Sequence, residues 1–436
     1  MKTNLKLTIL AIYCFVIILF SSFVVIKIEK YSPELFWLFE LKEHRNFKLN
    51  NISIGIISNP KLNPKNKYNH FHIENLRYAF NTFQKRNVSV IIVIGNIVNN
   101  PSKESYLLFN KIYSSFFPDE KFPIKILSIG ENEYNEENDD IEKYKVIFTK
   151  YFNQSITETI KIGLFVFIKY AYFKNKNISN IAWLKNQINS YYNSKIPIFL
   201  ITSITENNYI EIHNVIKDYK NIVLLNGNSN YSLIDDRSFS DENYFEIHIQ
   251  SVSYIKLNSN YKIENGLIPF DENENNEIAF KNPMGLILNL FNNNITINRY
   301  FLKENKIYDN PWIIPNTLLN EKIFFLNYKN NLIPYFPNSN SEIKIYKNKN
   351  NKHVIQFLQA SFKTLVCQYQ IIIENEKIKK YFYYFSDFFL MPEERKKEIS
   401  LVIKETFSGI YLVKIYAKNC YDIISKNFLS QIIEFK

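Results

Sequence analysis

The sequence predicts an α/β domain followed by an all-β domain, with one apolar segment at the N-terminus. In the middle of the chain, short runs of β-branched and aromatic residues alternate with amphipathic stretches, which is the pattern of an α/β fold. From residue 353 onward, strand-sized runs follow one another without a helical stretch between them, as in a small β-sandwich. The apolar segment, residues 7–26, contains no charged side chain.

The composition is that of a folded protein. The chain has 436 residues, 46% of them hydrophobic, which is enough to bury a full core. The formal net charge of +11 comes from 53 basic residues that are nearly all lysine, whereas base readout and bidentate phosphate contacts favour arginine. We therefore expect a solvated lysine-rich surface and no nucleic-acid partner.

Residues 7–26, LTILAIYCFVIILFSSFVVI, are long enough to cross a hydrocarbon core of about 30 Å as a helix. The run exceeds the apolar core of a cleaved signal peptide, and the following IKIEKY lacks a small-residue cleavage pattern. We therefore predict a retained signal anchor at 7–26, between a short tail at 1–6 and a juxtamembrane linker at 27–49. Lys2 and Lys6 weakly favour a cytoplasmic N-terminus, so we expect a single-pass membrane protein whose bulk is lumenal or extracellular.

The three cysteines allow one intrachain disulfide outside this anchor. Cys14 lies within the apolar run, which leaves Cys367 and Cys420 as the pair that an oxidising compartment could join. The sequence leaves open whether they pair. No Cys/His spacing typical of zinc is present.

Six buried strands are predicted between residues 52 and 226: ISIGII (52–57), SVIIVI (89–94), IKILSI (124–129), GLFVFI (163–168), PIFLIT (197–202) and NIVLLN (221–226). Amphipathic helices at 74–86 and 180–193 are expected to cover the sheet faces. The runs at 244–257, 284–290 and 295–302 have the pattern of antiparallel strands, and we expect them to complete the second sheet.

Turn-rich and polar segments predict where the two domains separate. DNPWIIPN (309–316) is predicted as a boundary and 338–352 as a polar loop, so a linker at 309–352 divides an α/β domain at 50–308 from a β-sandwich at 353–436. The strand from Gly409 resembles the late strands of an immunoglobulin-like domain, in which Tyr411 is either the corner tyrosine or an ordinary strand residue. YFYYFSDFF (381–389) is a candidate glycan-binding surface, although strand periodicity favours its burial.

Five strand ends carry polar motifs in a fixed order: SNPK (58–61), GNIVN (95–99), GENEY (130–134), ITS (201–203) and NGNSN (226–230). This order, with Trp183 and Leu184 on the helix before the fourth motif, resembles the calcineurin-like metallophosphoesterases. Members of that superfamily bind two metals on loops after the strands of a two-sheet sandwich, through D-x-H, GD, GNH(D/E), an isolated His and GHxH. The resemblance covers about residues 53–230 and implies a four-layer αββα sandwich.

Each motif keeps its frame and loses its ligands. The resemblance places Asn59 and Asn96 at the first-metal and bridging aspartates, and Asn132 at the histidine that would protonate a leaving group. Glu131 is the one carboxylate gained, at the place of an asparagine. The positions that correspond to metal ligands or adjoin them are Asn59, Lys61, Asn96, Glu131, Ser203, Asn228 and Asn230.

This set of side chains is poorly suited to two divalent ions. Two such ions about 3.5–4 Å apart repel each other, so they require carboxylates, and asparagine supplies no charge. Lys61 adds a positive charge where a histidine would bind metal. The Lys61 ammonium either pairs with Glu131 in place of a metal, or both side chains are solvated. We expect no functional catalytic residue and no cofactor.

Three functions remain compatible with the sequence. The first is a catalytically inactive, membrane-anchored pseudophosphoesterase that binds a protein or glycan partner. The second is an active hydrolase with one weakly held Mn²⁺, Mg²⁺ or Zn²⁺ on the oxygens of Asn59, Asn96, Glu131, Asn228 and Asn230. The third is a surface adhesion or glycan-binding protein that works through the β-sandwich.

Overall fold

The structure is a computed structural model. It describes residues 51–66, 69–119, 122–130, 133, 141–172, 177–192, 196–204, 206–229, 231–241, 244–253, 282–291, 294–315, 333–361, 365–403 and 405–436. The predicted anchor at 7–26 and its flanks at 1–6 and 27–49 lie outside these residues. Among the helices within them, none has the length and apolar character needed to span a membrane.

Five α-helices and nineteen strands are described. The helices are α1 (Asn69–Lys85), α2 (Lys103–Phe116), α3 (Ile141–Phe152), α4 (Asn177–Tyr191) and α5 (Glu206–Ile216). The strands are β1 (Asn51–Ser58), β2 (Val90–Ile94), β3 (Ile124–Ser128), β4 (Glu158–Ile162), β5 (Phe165–Lys169), β6 (Ile198–Thr202), β7 (Ile222–Ser229), β8 (Phe239–Ser240), β9 (Phe245–Gln250), β10 (Met284–Phe291), β11 (Asn294–Phe301), β12 (Lys306–Pro315), β13 (Lys344–Lys347), β14 (His353–Leu358), β15 (Val366–Glu374), β16 (Lys379–Phe385), β17 (Glu398–Val402), β18 (Gly409–Asn419) and β19 (Leu429–Phe435).

The first sheet has the strand order β12-β11-β10-β1-β2-β3. Strands β1, β2 and β3 are parallel, and their successive crossovers contain α1 and α2. Strands β10, β11 and β12 continue the sheet as antiparallel neighbours of β1. The prediction that the runs at 284–290 and 295–302 complete the second sheet is therefore wrong. Their alternating pattern identifies a strand but does not specify its partner, and β10 pairs with β1 through Ile54 and Leu288.

The second sheet has the order β4-β5-β6-β7-β9-β8. Strands β5, β6, β7 and β9 are parallel, and β4 and β8 are short antiparallel edge strands. The run at 244–257 was expected to be antiparallel, but its described part, β9, pairs in parallel with β7. The short strand β8 reverses the chain before β9, and this reversal makes the parallel pairing possible.

Three apolar cores separate four layers. Alternate residues of one strand face opposite sides, so Ile92 lies between the two sheets with Phe199 of the second sheet, whereas Ile91 faces the α1 and α2 side. On the outer face of the second sheet, Leu184 of α4 and Ile212 of α5 form the third core. The layers are thus helices, sheet, sheet and helices, as the family resemblance implies for the α/β part.

A buried polar contact also joins the two sheets. Lys169, at the end of β5, is fully buried. Its Nζ atom lies 2.6 Å from Glu158 Oε1 and donates to Gln154 Oε1 at 3.1 Å. Gln154 in turn accepts from Leu127 N at 3.0 Å and donates to the Lys125 carbonyl at 2.6 Å, both on β3. The side-chain amide of Gln154 therefore connects β3 of the first sheet to Lys169 of β5 in the second sheet.

The C-terminal part is a β-sandwich. Its sheets have the orders β13-β14-β17 and β16-β15-β18-β19, and they enclose one core that includes Ile355 and Leu401 from one sheet and Tyr369 and Val413 from the other. The segment 338–352, expected as a polar loop, contains strand β13. The strand was missed because its side chains are mostly exposed, whereas backbone pairing with β14 holds it in place.

The predicted boundary at 309–316 is wrong. Strand β12 continues through residues 306–315 beside β11, with Trp312 and Ile314 buried. Asp309 has a φ of 54°, and the pairing register shifts between Ile297 and Arg299, so the turn-like residues form an irregularity within a strand.

The sandwich packs against the core between the two large sheets. Phe388 and Phe389, in the loop after β16, belong to the same buried cluster as Trp312. Most aromatic residues of YFYYFSDFF are thus buried, either here or in the sandwich core, whereas Tyr381 is 49% exposed. Cys367 and Cys420 form a disulfide at this junction, with a Cα–Cα distance of 5.1 Å, which answers the question that the sequence left open.

Candidate functional site

The predicted site lies where the C-terminal ends of the parallel strands of both sheets meet. Asn59 follows β1 and Asn96 follows β2, and two backbone hydrogen bonds join their loops: Asn59 N to the Ile94 carbonyl at 3.1 Å and Lys61 N to the Asn96 carbonyl at 2.9 Å. The Asn59 Nδ2 group donates to the Gly227 carbonyl of β7 at 2.7 Å. Loops of the first sheet therefore contact a strand of the second.

Two glycines show how closely these loops approach each other. A Cβ atom on Gly95 would lie 2.3 Å from Ser203 Oγ and 3.4 Å from Asn59 Oδ1, and Gly95 has a φ of 61°. A Cβ atom on Gly130 would lie 2.6 Å from Asn96 Oδ1. The structure thus brings Asn59, Asn96 and Ser203 together around the ends of β2 and β3, as their strand-end positions predict.

The remaining predicted residues are described only in part. Lys61 is half-buried and has a φ of 49°, an uncommon backbone conformation for lysine. The backbone of Asn228 lies in β7, but its side chain is outside the described part of the structure, as are Glu131, Asn132 and Asn230. The expected contact between Lys61 and Glu131 therefore stays a prediction.

The described atoms at this edge do not fit a pair of divalent metals. Asn59 Oδ1 and Ser203 Oγ are buried without a hydrogen-bond partner, and both are neutral oxygens. Within the described ranges, a group of three or more close His, Cys, Asp or Glu ligand atoms occurs at Asp235, Cys367 and Cys420, which lie at the junction instead. Neutral oxygens cannot balance the charge of two adjacent divalent ions.

Among the described residues, Glu133 is the carboxylate nearest in sequence to these loops. Its side chain accepts a hydrogen bond from the loop backbone. It is 1% exposed, its Oε2 atom accepts from Gly130 N at 3.0 Å, and its own N–H donates to the Gly130 carbonyl at 3.0 Å. Burial raises the pKa of Glu133 to about 8, although nearby N–H groups of Gly130, Ile97 and Val98 lower it. The Oε1 atom is buried without a hydrogen-bond partner of standard geometry.

His72, which sequence reasoning did not assign to the site, supports the first loop. Its Nδ1 atom lies 2.9 Å from the Lys61 carbonyl, and burial lowers the pKa of His72 to about 4. The ring is therefore neutral at pH 7. Because the carbonyl can only accept, Nδ1 carries the proton of this hydrogen bond.

Two serines after β9 hold the same loop and were also missed. Ser251 Oγ donates to the Asn59 carbonyl at 3.1 Å, and Ser253 Oγ donates to the Pro60 carbonyl at 2.6 Å. The signal that could have identified them is a polar S-V-S run at the end of an apolar strand, the same signal that marks the other loops.

Comparisons with known proteins find similarity at the level of structure. No family model and no curated protein matches the sequence. A dimetal phosphatase from Danio rerio is 6% identical, with 61% of this chain and 99% of that chain covered and a TM-score of 0.41. A purple acid phosphatase from yellow lupin seeds is 8% identical, with 63% and 56% covered and a TM-score of 0.42.

A third solved structure is vacuolar protein sorting 29 from Cryptosporidium parvum, which is 10% identical, with 61% of this chain and 99% of that chain covered and a TM-score of 0.30. Identities this low concern the fold alone and carry nothing about activity. These neighbours have the calcineurin-like metallophosphoesterase fold, the family that the strand-end motifs of this chain resemble.

Proposed function

We propose that this chain is a membrane-anchored pseudophosphoesterase that acts by binding rather than by hydrolysis. The observation that carries the proposal is the neutral character of the described site. Asn59 uses its amide N–H on the Gly227 carbonyl, and Asn59 Oδ1 and Ser203 Oγ, which are buried without a hydrogen-bond partner, bear no formal charge. Lys61, two residues after Asn59, adds a positive charge to the same loop. The described side chains of this site, Asn59, Asn96 and Ser203, include neither a carboxylate that would hold metal ions nor a histidine that would protonate a leaving group.

The membrane anchor and the partner class are part of the same proposal. The uncharged run at 7–26 supports a single-pass protein with its bulk lumenal or extracellular. The sandwich sheets β13-β14-β17 and β16-β15-β18-β19 support an immunoglobulin-like or fibronectin-like C-terminal domain, a class common on cell surfaces. A protein or glycan partner would suit such a domain.

One observation favours the competing function of a weak hydrolase. Two buried oxygens without partners, Asn59 Oδ1 and Ser203 Oγ, could contribute to binding one hard cation such as Mg²⁺. Amide and hydroxyl oxygens are weaker ligands than carboxylates for such ions, so retention of the metal through purification would be poor.

Metal content and turnover distinguish the two functions. The full chain, purified in detergent without reductant, would be analysed for metals and assayed for phosphatase and phosphodiesterase activity with added Mn²⁺, Zn²⁺ and Mg²⁺. We expect no bound metal and no turnover above that of Asn96→Ala. Near-stoichiometric metal with turnover that Asn96→Ala abolishes and the exposed control Asn214→Ala retains would establish the hydrolase instead.

A variant designed to gain metal binding tests whether the substituted side chains are the reason that no metal is held. The combined variant Asn59→Asp, Lys61→His, Asn96→Asp, Asn228→His and Asn230→His restores the acidic and histidine ligands that the resemblance predicts. We expect it to retain Mn²⁺ or Zn²⁺ that the natural chain loses on dialysis. A folded variant that retains no metal would show that these positions do not form the site that the motif order predicts.

A further inference from the structure

The junction contains three buried side chains that can each bind a metal ion. Asp235 precedes the short turn before β8, Cys367 lies on β15, and Cys420 follows β18. One ligand atom from each, a carboxylate oxygen or a sulfur, lies within 4.8 Å of the others. Their exposed fractions are 0%, 5% and 6%. The group therefore combines ligands from both parts of the chain in a site that is shielded from bulk solvent.

Asp235 is held rigidly in this position. Arg237 donates from Nε to Oδ1 at 3.1 Å and from a terminal nitrogen to Oδ2 at 2.6 Å, and the Arg237 backbone N–H donates to Oδ1 at 2.9 Å. The guanidinium lies 4.4 Å from the centre of the Tyr231 ring. Carboxylates that bind metals are commonly oriented by such hydrogen-bonded partners.

We propose that Asp235, Cys367 and Cys420 bind one thiophilic divalent metal ion, of the zinc type, when the disulfide is reduced. Two thiolates and one carboxylate supply three negative charges, which the metal ion and Arg237 balance to zero. This balance favours burial, because an uncompensated charge in an apolar interior is costly. Thiolate ligands select zinc-like ions over Mg²⁺ or Ca²⁺, and a water molecule would complete a tetrahedral site.

Reduction of the disulfide supplies the two thiolate ligands. A thiol reductant transfers two electrons to the Cys367–Cys420 disulfide and becomes a disulfide itself, while two protons give two thiols. The metal ion then displaces these two protons as both thiolates bind it. In the oxidised chain the sulfurs are joined to each other, so the thiolate ligands are absent. The site is independent of the neutral edge on which the proposed function rests.

Cobalt and zinc titrations of the full chain in detergent test the proposal. The chain would be stripped of metal with a chelator and titrated with Co²⁺ before and after treatment with a phosphine reductant. We expect one Co²⁺ per reduced chain, a sulfur-to-cobalt charge-transfer absorption that Zn²⁺ abolishes by displacement, and neither signal in the oxidised chain. A reduced chain that shows no charge-transfer band would overturn the proposal.

Variants locate the metal. Cys367→Ser and Cys420→Ser should each abolish the one-per-chain binding, and the control Cys14→Ser, which removes the third thiol, should leave it unchanged. Asp235→Asn should weaken Co²⁺ binding about tenfold or more while the charge-transfer band remains. If Asp235→Asn does not fold, Arg237→Gln should weaken binding by about 10- to 100-fold through the loss of its orienting hydrogen bonds. Unchanged affinity in the folded member of this pair would refute the role of Asp235.

Discussion

Polar side chains are buried in two regions: the edge, where the strand-end loops meet, and the junction, where the sandwich packs against the large sheets. The two regions differ in whether those side chains have a partner. At the edge, Asn59 Oδ1 and Ser203 Oγ are neutral and have no partner. At the junction, the buried Asp235 carboxylate is matched by Arg237. The edge nevertheless keeps its shape, because backbone bonds such as Lys61 N to the Asn96 carbonyl hold its loops. Backbone bonds of this kind fix the loops independently of what their side chains bind.

The largest effect should come from breaking the junction pair. Asp235→Ala leaves the Arg237 guanidinium without its carboxylate in a site where Asp235 is fully buried. We expect the free energy of unfolding in urea to fall by about 3 kcal/mol. The matched control is Glu393→Ala, which removes an exposed ion pair with Lys306 and should have little measurable effect. Equal losses in the two variants would mean that burial does not strengthen the junction pair.

The edge should respond most to added volume rather than to lost polarity. A Cβ atom on Gly130 would lie 2.3 Å from the backbone nitrogen of Asn96, which cannot rotate away. Gly130→Ala should therefore lower the free energy of unfolding by about 1–3 kcal/mol, as overpacking does elsewhere. An unchanged urea midpoint would show that these loops can separate, and the comparison with the rigid junction would fail.

The smallest effect, taken per pH unit, concerns the pH dependence of the edge. The pKa of Glu133 is about 8 in the folded chain and 4.5 in the reference state, so the folded chain holds the extra proton between these values. Stability should therefore fall as pH rises through this window, by on the order of 1 kcal/mol per pH unit at most. His72 and His248, whose pKa values burial lowers to about 4, contribute the opposite slope from about pH 4 to 6.5.

Urea titrations between pH 7 and 8 isolate Glu133, because both histidines are mostly neutral there in the folded and unfolded chains. Wild-type stability should decline across this range, and Glu133→Gln should remove the decline. If the variant keeps the full slope, another group is responsible.

The sequence predicts the parts of the fold that depend on buried runs. The six strands between residues 52 and 226 are present within a few residues of their predicted bounds, since each is built mainly from β-branched, aliphatic and aromatic residues. The proximity of Asn59 and Asn96 was also predictable, because parallel strands end at one edge of a sheet, whereas the approach of Ser203 from the second sheet was implied by the family resemblance.

Other parts depend on partners that local sequence does not identify. Strands β4, β8 and β13 are short or lie at sheet edges, so their hydrophobic signal is weak. The turn signals of Asp309, Asn310 and Pro311 were misleading, because an irregularity within β12 uses the same residue types. The meeting of Asp235 with Cys367 depends on how two distant parts of the chain pack together.

The shared core at the junction also limits which domain exchanges this protein can tolerate. Trp312 and Ile314 of β12 lie in one apolar cluster with Phe388 and Phe389 of the sandwich. A recombination event that exchanged the sandwich for an unrelated domain would expose this cluster to water and destabilise the edge strand that carries it. The two parts are therefore not interchangeable modules, and changes on one side of the cluster must be matched on the other.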